Sequence, residues 1–80
     1  MNIRILTFGI ARDICGGSSV MISLDDESTV DDLRRNLEQD FPALKEVLKY
    51  SIAVNQEYAS GELPLQECDE VAVIPPVSGG

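Results

Sequence analysis

Residues 69–80, at the carboxyl end of the chain, read DEVAVIPPVSGG. The apolar, largely β-branched run Val71–Ile74 predicts a short core strand. Pro75 and Pro76 follow it directly, and proline cannot donate a ladder hydrogen bond and fixes φ near −65°. The pair therefore predicts that the chain leaves the sheet as a stiff, extended arm. Residues 75–80 span at most about 20 Å, which is long enough to enter a pocket of another protein.

The last two residues of this arm predict covalent chemistry at the chain end. Gly79 and Gly80 lack Cβ atoms and can thread a narrow channel. The ionised α-carboxylate of Gly80 is a poor electrophile until ATP converts it into an acyl-adenylate. A sulfur donor would then give a thiocarboxylate and an amine would give an amide, and the tail alone does not choose between them. A terminal glycine pair arises by chance in roughly 0.5% of chains. The whole hexapeptide 75–80, placed directly after a strand, is therefore a more specific sign of a reactive tail than the two glycines alone.

Composition favours a carrier or binding module over a self-contained enzyme. The chain has 80 residues, of which 44% are apolar and 25% charged, as expected for one small domain. A domain of this size has no room for a deep active-site cavity beside its core. It contains no histidine, and its two cysteines form no C-x-x-C pair. We therefore expect no catalytic residue of its own, no metal site and no bound cofactor.

Charge and the amino terminus restrict the partners. A formal net charge of −8 argues against nucleic acid and anionic membranes and favours proteins with basic surfaces. The alternative is that the acidity only keeps a small protein soluble. The chain begins with strand-like sequence and has no signal segment or apolar run long enough to cross a bilayer, so we expect a cytoplasmic protein.

The first half of the chain predicts two strands and a helix. Alternating apolar residues predict strands over residues 2–9 and 19–24, separated by one helical turn over 10–15. Thr29 caps a helix that begins near Val30 and ends before Pro42. The apolar stripe of this helix predicts one face packed on a sheet, with its acidic residues in solvent or serving as caps rather than holding a metal.

The second half predicts shorter elements: a helical stretch over 43–49, a strand over 52–54, a turn at 55–56, and Tyr58 pairing back. An irregular bridge over 63–65 precedes the last strand. Residues 1–74 are thus predicted to form one α+β domain of order ββαβ(β)β, and residues 75–80 an extended tail.

Several of these segments together resemble one family. Residues 69–80, the strand Ile3–Phe8 followed by Arg12-Asp13-Ile14, the helix start at 29–37, and Ala53-Val54-Asn55-Gln56 resemble the MoaD family, the small sulfur-carrying subunit of molybdopterin synthase. The resemblance extends through the whole chain. It implies a β-grasp, ubiquitin-like fold with a flexible Gly-Gly tail. In that fold the first and last strands lie side by side in a mixed sheet, and one main helix packs on one face.

The resemblance also implies a function in molybdenum cofactor biosynthesis. An E1-like, MoeB-like enzyme would adenylate Gly80 with ATP, and a cysteine desulfurase or rhodanese-like protein would supply sulfur to form the thiocarboxylate. The tail would then enter a MoaE-like large subunit, within a heterotetramer, and donate sulfur to cyclic pyranopterin monophosphate. Catalytic residues would belong to these partners.

Specific roles follow for a few residues. The resemblance makes Gly80 the modified residue, the remaining tail residues the inserted segment, and three apolar side chains the partner contacts. The inserted residues are Pro75, Pro76, Val77, Ser78 and Gly79, and the contacts are Phe8, Tyr58 and Ile74. Independently, strand alternation predicts that Ala72 and Ile74 face outward, with Leu6 and Phe8 beside them, if Val71 and Val73 face the helix. Core packing is the alternative for each contact residue, and Tyr58 stands where a more aliphatic residue is expected.

Three other functions remain open at this point. One is a ubiquitin-like modifier conjugated to lysines through Gly80, another is a sulfur carrier for thiazole synthesis or tRNA thiolation, and the third is a β-grasp interaction module without covalent chemistry. Cys15 and Cys68 are predicted to be small, partly buried packing residues, because no cationic neighbour marks either as a reactive thiol.

Overall fold

The computed structural model describes residues 1–47 and 49–76. Within them the chain forms eight elements in sequence order. They are β1 (Asn2–Thr7), α1 (Gly9–Cys15), β2 (Ser19–Ser23), α2 (Val30–Asp40), α3 (Pro42–Val47), β3 (Ser51–Val54), β4 (Glu57–Tyr58) and β5 (Val71–Ile74).

The described strands form one mixed sheet in the order β2-β1-β5-β3-β4. The first and last strands, β1 and β5, are parallel neighbours, with Leu6 opposite Ala72 and Thr7 opposite Val73. The other three pairings are antiparallel. This arrangement confirms the predicted α+β, β-grasp fold.

Helix α2 covers one face of the sheet, and its start is fixed by a capping box. The Thr29 hydroxyl accepts a hydrogen bond from the Asp32 amide, and the Asp32 carboxylate accepts one from the Thr29 amide at 2.9 Å. Val30, Leu33 and Leu37 are fully buried. They join the inward residues of β1 and β5 in one core: Ile3, Ile5, Val71 and Val73.

The start of β5 is held by the turn between β3 and β4. Asn55 and Gln56 have positive φ values of 52° and 70°, which suit a two-residue hairpin whose twist matches its strands. The Asn55 side chain accepts a hydrogen bond from the Glu70 amide at 3.0 Å and donates one to Asp69 at 3.1 Å. The turn predicted at residues 55–56 therefore also fixes where the last strand begins.

Two predicted boundaries were wrong. Strand β1 ends at Thr7, and α1 begins at Gly9 and extends to Cys15, so the predicted single turn is longer and starts earlier. The predicted end of α2 before Pro42 is confirmed, since α2 ends at Asp40, but Pro42 itself begins α3, which was predicted to start at residue 43. In the described part of the chain, no helix has both the length and the hydropathy needed to span a membrane.

Candidate functional site at the root of the tail

One row of residues crosses four strands on the face of the sheet opposite α2. Leu6 on β1 lies opposite Ala72 on β5, and Ala72 lies opposite Ala53 on β3. Ala53 in turn lies opposite Tyr58 on β4. Since side chains alternate between faces along a strand, Phe8 and Ile74 continue this outward surface two residues further on.

These residues line a shallow apolar depression with a volume of about 290 Å³. Its lining consists of Leu6, Phe8, Ala53, Gln56, Tyr58, Glu70, Ala72 and Ile74. Phe8 is 48% exposed and Tyr58 is 74% exposed, although both are large apolar side chains. We call this surface the outer groove. Solvated aromatic side chains grouped in this way are typical of a protein interaction site.

The outer groove brings the three predicted contact residues together. Phe8, Tyr58 and Ile74 come from three different strands or strand ends and line the same depression. The predicted outward orientation of Ala72 and Ile74 is also confirmed, since both are partly exposed while Val71 and Val73 are fully buried. Core packing is therefore excluded for Phe8 and Tyr58. Their role as partner contacts stays a prediction.

The tail begins at the edge of this groove. Pro75 is partly buried and Pro76 is exposed, immediately after Ile74 ends β5. The other predicted tail residues lie outside the described part of the chain: Val77, Ser78, Gly79 and the modified Gly80. The root of the tail, Pro75 and Pro76, follows Ile74, which lines the groove together with Phe8.

Electrostatically, the groove has little fixed charge to desolvate. Among the described residues that line it, Glu70 alone is charged, and Gln56 adds a neutral polar group. The two ion pairs in the described residues, from the Met1 ammonium to Asp26 and from Arg35 to Asp32, involve no groove residue. A partner covering the groove would bury mainly apolar surface, which is the favourable part of association.

The ionisable groups with altered pKa values lie away from the groove. Burial, together with a hydrogen bond donated to Glu38, raises the pKa of the Tyr50 hydroxyl. The Arg34 guanidinium lies 4.7 Å from the centre of the Tyr50 ring. These contacts tie α2 to the start of β3, so we assign Tyr50 to packing. No metal-ligating cluster occurs within the described residues.

The cysteines divide into two cases. Cys15 is partly buried against the core, and desolvation raises the pKa of its thiol, as expected for a packing residue. Cys68 is exposed in the segment before β5, so the prediction that it is partly buried was wrong.

Sequence reasoning missed three groove residues: Ala53, Gln56 and Glu70. Ile52, Ala53 and Val54 are all buried, so β3 lacks the alternation that marks outward positions. The register of the β3–β4 hairpin was the available signal, because a two-residue turn at 55–56 pairs Ala53 with Tyr58.

The β-grasp sheet, with α2 on one face and the apolar outer groove on the other, defines a small ubiquitin-like protein. Residues 5–80 match the ThiS family, and the chain belongs to that family.

Two curated relatives extend over nearly the whole chain. The molybdopterin synthase sulfur carrier subunit of Dictyostelium discoideum is 42% identical and covers 96% of this chain and 94% of its own length. The human protein of the same name is 40% identical and covers 99% of this chain and 94% of its own length.

Three solved structures share the fold. The putative molybdopterin converting factor subunit 1 of Pyrococcus furiosus superposes with a TM-score of 0.88 at 27% identity, covering 96% of this chain and 99% of that one. The small archaeal modifier protein SAMP1 of Haloferax volcanii gives 0.85 at 27% identity, with complete coverage of both chains. A complex of subunits 1 and 2 of the molybdopterin-converting factor of Helicobacter pylori gives 0.69 at 28% identity, again with complete coverage of both chains.

Proposed function

We propose that this chain is the sulfur carrier subunit of a molybdopterin synthase and that the Gly80 carboxylate is its reacting group. The observation that carries the proposal is the position of the outer groove beside the root of the tail. A partner that covers the groove receives the tail at the same time, so docking and delivery of the chain end are one event.

The chemistry proceeds at the terminal carbonyl carbon. An activating enzyme uses ATP to form the Gly80 acyl-adenylate and releases pyrophosphate. A persulfide of a donor protein then attacks the carbonyl carbon and displaces AMP, and a thiol cleaves the resulting acyl disulfide to leave a terminal thiocarboxylate and a disulfide on the donor. In the synthase the thiocarboxylate sulfur bonds to a carbon of cyclic pyranopterin monophosphate and displaces an oxygen leaving group, and water then cleaves the acyl C–S bond, so that Gly80 returns to the carboxylate. The chain binds no cofactor in this scheme.

The same surface would serve successive partners. The subunit complex of Helicobacter pylori supports pairing of this chain with a MoaE-like large subunit. The proposal also includes a MoeB-like activating enzyme and a sulfur donor that is a cysteine desulfurase or a rhodanese-like protein. The synthase itself is proposed to be a heterotetramer. In this scheme the catalytic groups belong to these partners, and the mainly apolar lining of the described groove supports a docking role for the carrier.

A second candidate function is a protein modifier that forms an amide with lysine amines through Gly80. The observation that favours it is the TM-score of 0.85 to SAMP1 of Haloferax volcanii. Both functions use the same activated carbonyl and differ only in the nucleophile that attacks it.

Intact mass spectrometry of the protein purified from its host tests both functions. Replacement of one terminal oxygen by sulfur is the expected result for the carrier. Conjugates to lysines of other proteins would favour the modifier. If only the free carboxylate is found, even after incubation with an activating enzyme, ATP and a sulfur donor, both covalent functions are wrong.

Deleting Gly80 tests the pathway. We expect molybdoenzyme activity in the host to be lost, and a plasmid copy of the complete chain to restore it. Unchanged molybdoenzyme activity in the deletion strain would contradict the molybdopterin assignment and leave thiazole synthesis or tRNA thiolation as the pathways to examine.

A further inference from the structure

Gly9 lies at the point where β1, α1 and the tail root meet. It follows the extended residue Phe8 and begins α1 with a φ of +56°, in the left-handed region that disfavours side chains. No side-chain hydrogen bond caps this helix. The reversal at Gly9 therefore lets Phe8 stay on the outer face while the chain turns into α1.

Gly9 is also the neighbour of the first tail residue. Thr7 and Val73 are the last paired residues of the parallel strands β1 and β5, so Phe8 runs beside Ile74 and Gly9 beside Pro75. A Cβ atom at Gly9 would lie 3.4 Å from Cγ of Pro75, at the near limit of van der Waals contact. The partly buried proline ring therefore lies next to Gly9, and a methyl group at Gly9 would fill the space between them.

We propose that Gly9 is a positioning residue that sets the direction in which the tail leaves the sheet. The inference rests on the proposed function, because it assumes that the tail must reach an activating site while the outer groove is docked. A side chain at Gly9 would strain its φ and would contact the Pro75 ring, so relaxing the strain would move the side chain and backbone that lie beside Pro75.

The length of the tail amplifies such a movement. Residues 75–80 extend up to about 20 Å, and the two prolines restrict rotation at the root. A change of direction at Pro75 therefore changes where the stiff first part of the tail points, and with it the region that the Gly80 carboxylate can reach. Misplacement of a reacting group by about 1 Å can reduce a rate on the order of 100-fold.

The chain provides a matched control at the other end of α1. Gly16 also has positive φ, at +80°, and a Cβ there would meet no atom within 4 Å. Gly9→Ala and Gly16→Ala impose the same kind of backbone strain on the same helix, but only the first touches the tail root.

The test is carrier-dependent pyrophosphate exchange with the activating enzyme, with the unfolding midpoint of each variant measured alongside. We expect Gly9→Ala to lower kcat by about tenfold or more while KM for the carrier changes less than about twofold, because the outer groove is intact. Gly16→Ala should change both constants by less than about twofold. The role of Gly9 is overturned if the two variants lose kcat equally, if Gly9→Ala keeps the wild-type kcat, or if only KM rises.

Pro75→Ala supplies a second comparison, because it removes the ring atom that a Gly9 side chain would meet. The double variant Gly9→Ala/Pro75→Ala should have a kcat no lower than that of Pro75→Ala alone. Independent, multiplicative losses would contradict a shared role of the two residues.

A structural measurement separates this inference from the proposed function. In the isolated wild-type chain, nuclear Overhauser effects should join the Gly9 Hα atoms to the Pro75 ring protons, and their absence would overturn the proposed contact whatever the chain does. A wild-type chain that supports no exchange would instead overturn the proposed function, and the role of Gly9 with it.

Discussion

The two faces of the sheet are built from the same strands, yet they serve different purposes. On β1, Ile5 is fully buried against α2, whereas its neighbour Leu6 is partly exposed in the outer groove. On β5, Val73 and Ile74 show the same contrast. Adjacent residues of similar size and hydropathy therefore divide between holding the fold together and meeting a partner. Hydropathy alone does not distinguish the two roles, but the strand period does.

The largest expected effect comes from exchanging Ile5 and Leu6 one at a time for alanine. Ile5→Ala should lower the free energy of unfolding by about 2–5 kcal/mol, because it leaves a cavity in the core. Leu6→Ala should cost less than half as much, because its side chain is only partly buried. Urea denaturation of both variants measures the difference. Equal losses would mean that the two faces are not distinct in stability.

The next effect concerns binding to the large subunit. Phe8→Ala and Tyr58→Ala should each weaken binding by about 1–3 kcal/mol, as aromatic residues at the centre of an interface do. Each should change the free energy of unfolding by less than about 1 kcal/mol, as is usual for exposed positions. Isothermal titration calorimetry and denaturation provide the two readouts.

Met21→Ala is the matched control for this experiment. Met21 is 63% exposed on the same outer face, on the edge strand β2, but it does not line the groove. Affinity should therefore remain near the wild-type value. A loss as large as that of Phe8→Ala would show that the interface extends across the whole face.

A smaller effect is expected at the cap of α2, behind the inward face. Thr29→Ala should lower the free energy of unfolding by about 1 kcal/mol, because the Asp32 amide loses its acceptor. Thermal denaturation measures this loss. The kcat of carrier-dependent pyrophosphate exchange should equal that of the wild type under conditions in which all of the variant is folded. A lower kcat under those conditions would contradict the separation of the two faces.

The smallest expected effect is the pH dependence of the stability that the Thr29–Asp32 cap contributes. Hydrogen bonds from Thr29, first of all from its backbone amide, hold the pKa of the Asp32 carboxyl below the ordinary value of 3.8. A depressed folded-state pKa stabilises the fold above pH 3.8, and that contribution is lost as pH falls through the folded pKa. The stability difference between the wild type and Asp32→Asn should therefore shrink below about pH 4. Urea midpoints between pH 7 and 2 would reveal it, and a constant difference would exclude a role for the carboxylate charge.

The parts of the fold that depend on local patterns could be predicted from the sequence. Thr29 and Asp32 lie three residues apart before an apolar stripe, and Val71–Ile74 alternates, so both the cap and the outward residues of β5 were predicted correctly. Pro75 and Pro76, which directly follow the alternating residues of β5, predicted where the tail begins.

The features that depend on tertiary contacts were missed. The positive φ of Gly9 becomes informative only when Pro75 is found beside it, and nothing within residues 2–15 indicates that neighbour. Ala53 reads as core because it is small and paired on both sides, by Ala72 and Tyr58. Pro42 was correctly predicted to follow the end of α2, but its place as the first residue of α3 was missed, since the same φ restriction suits both positions.

The parallel pairing of β1 with β5 has a practical consequence for handling the protein. Because the two strands run in the same direction, Met1 lies at the end of β1 remote from the tail, roughly 20 Å away along a six-residue strand. If residues were added before Met1, the backbone amide of Met1 could still donate a hydrogen bond to the Leu24 carbonyl, as the Met1 ammonium does at 2.7 Å. Only a weak ion pair with the exposed Asp26 would be lost. The chain can therefore be tethered to a surface or labelled with a fluorophore through its amino end, leaving Gly80 free to react.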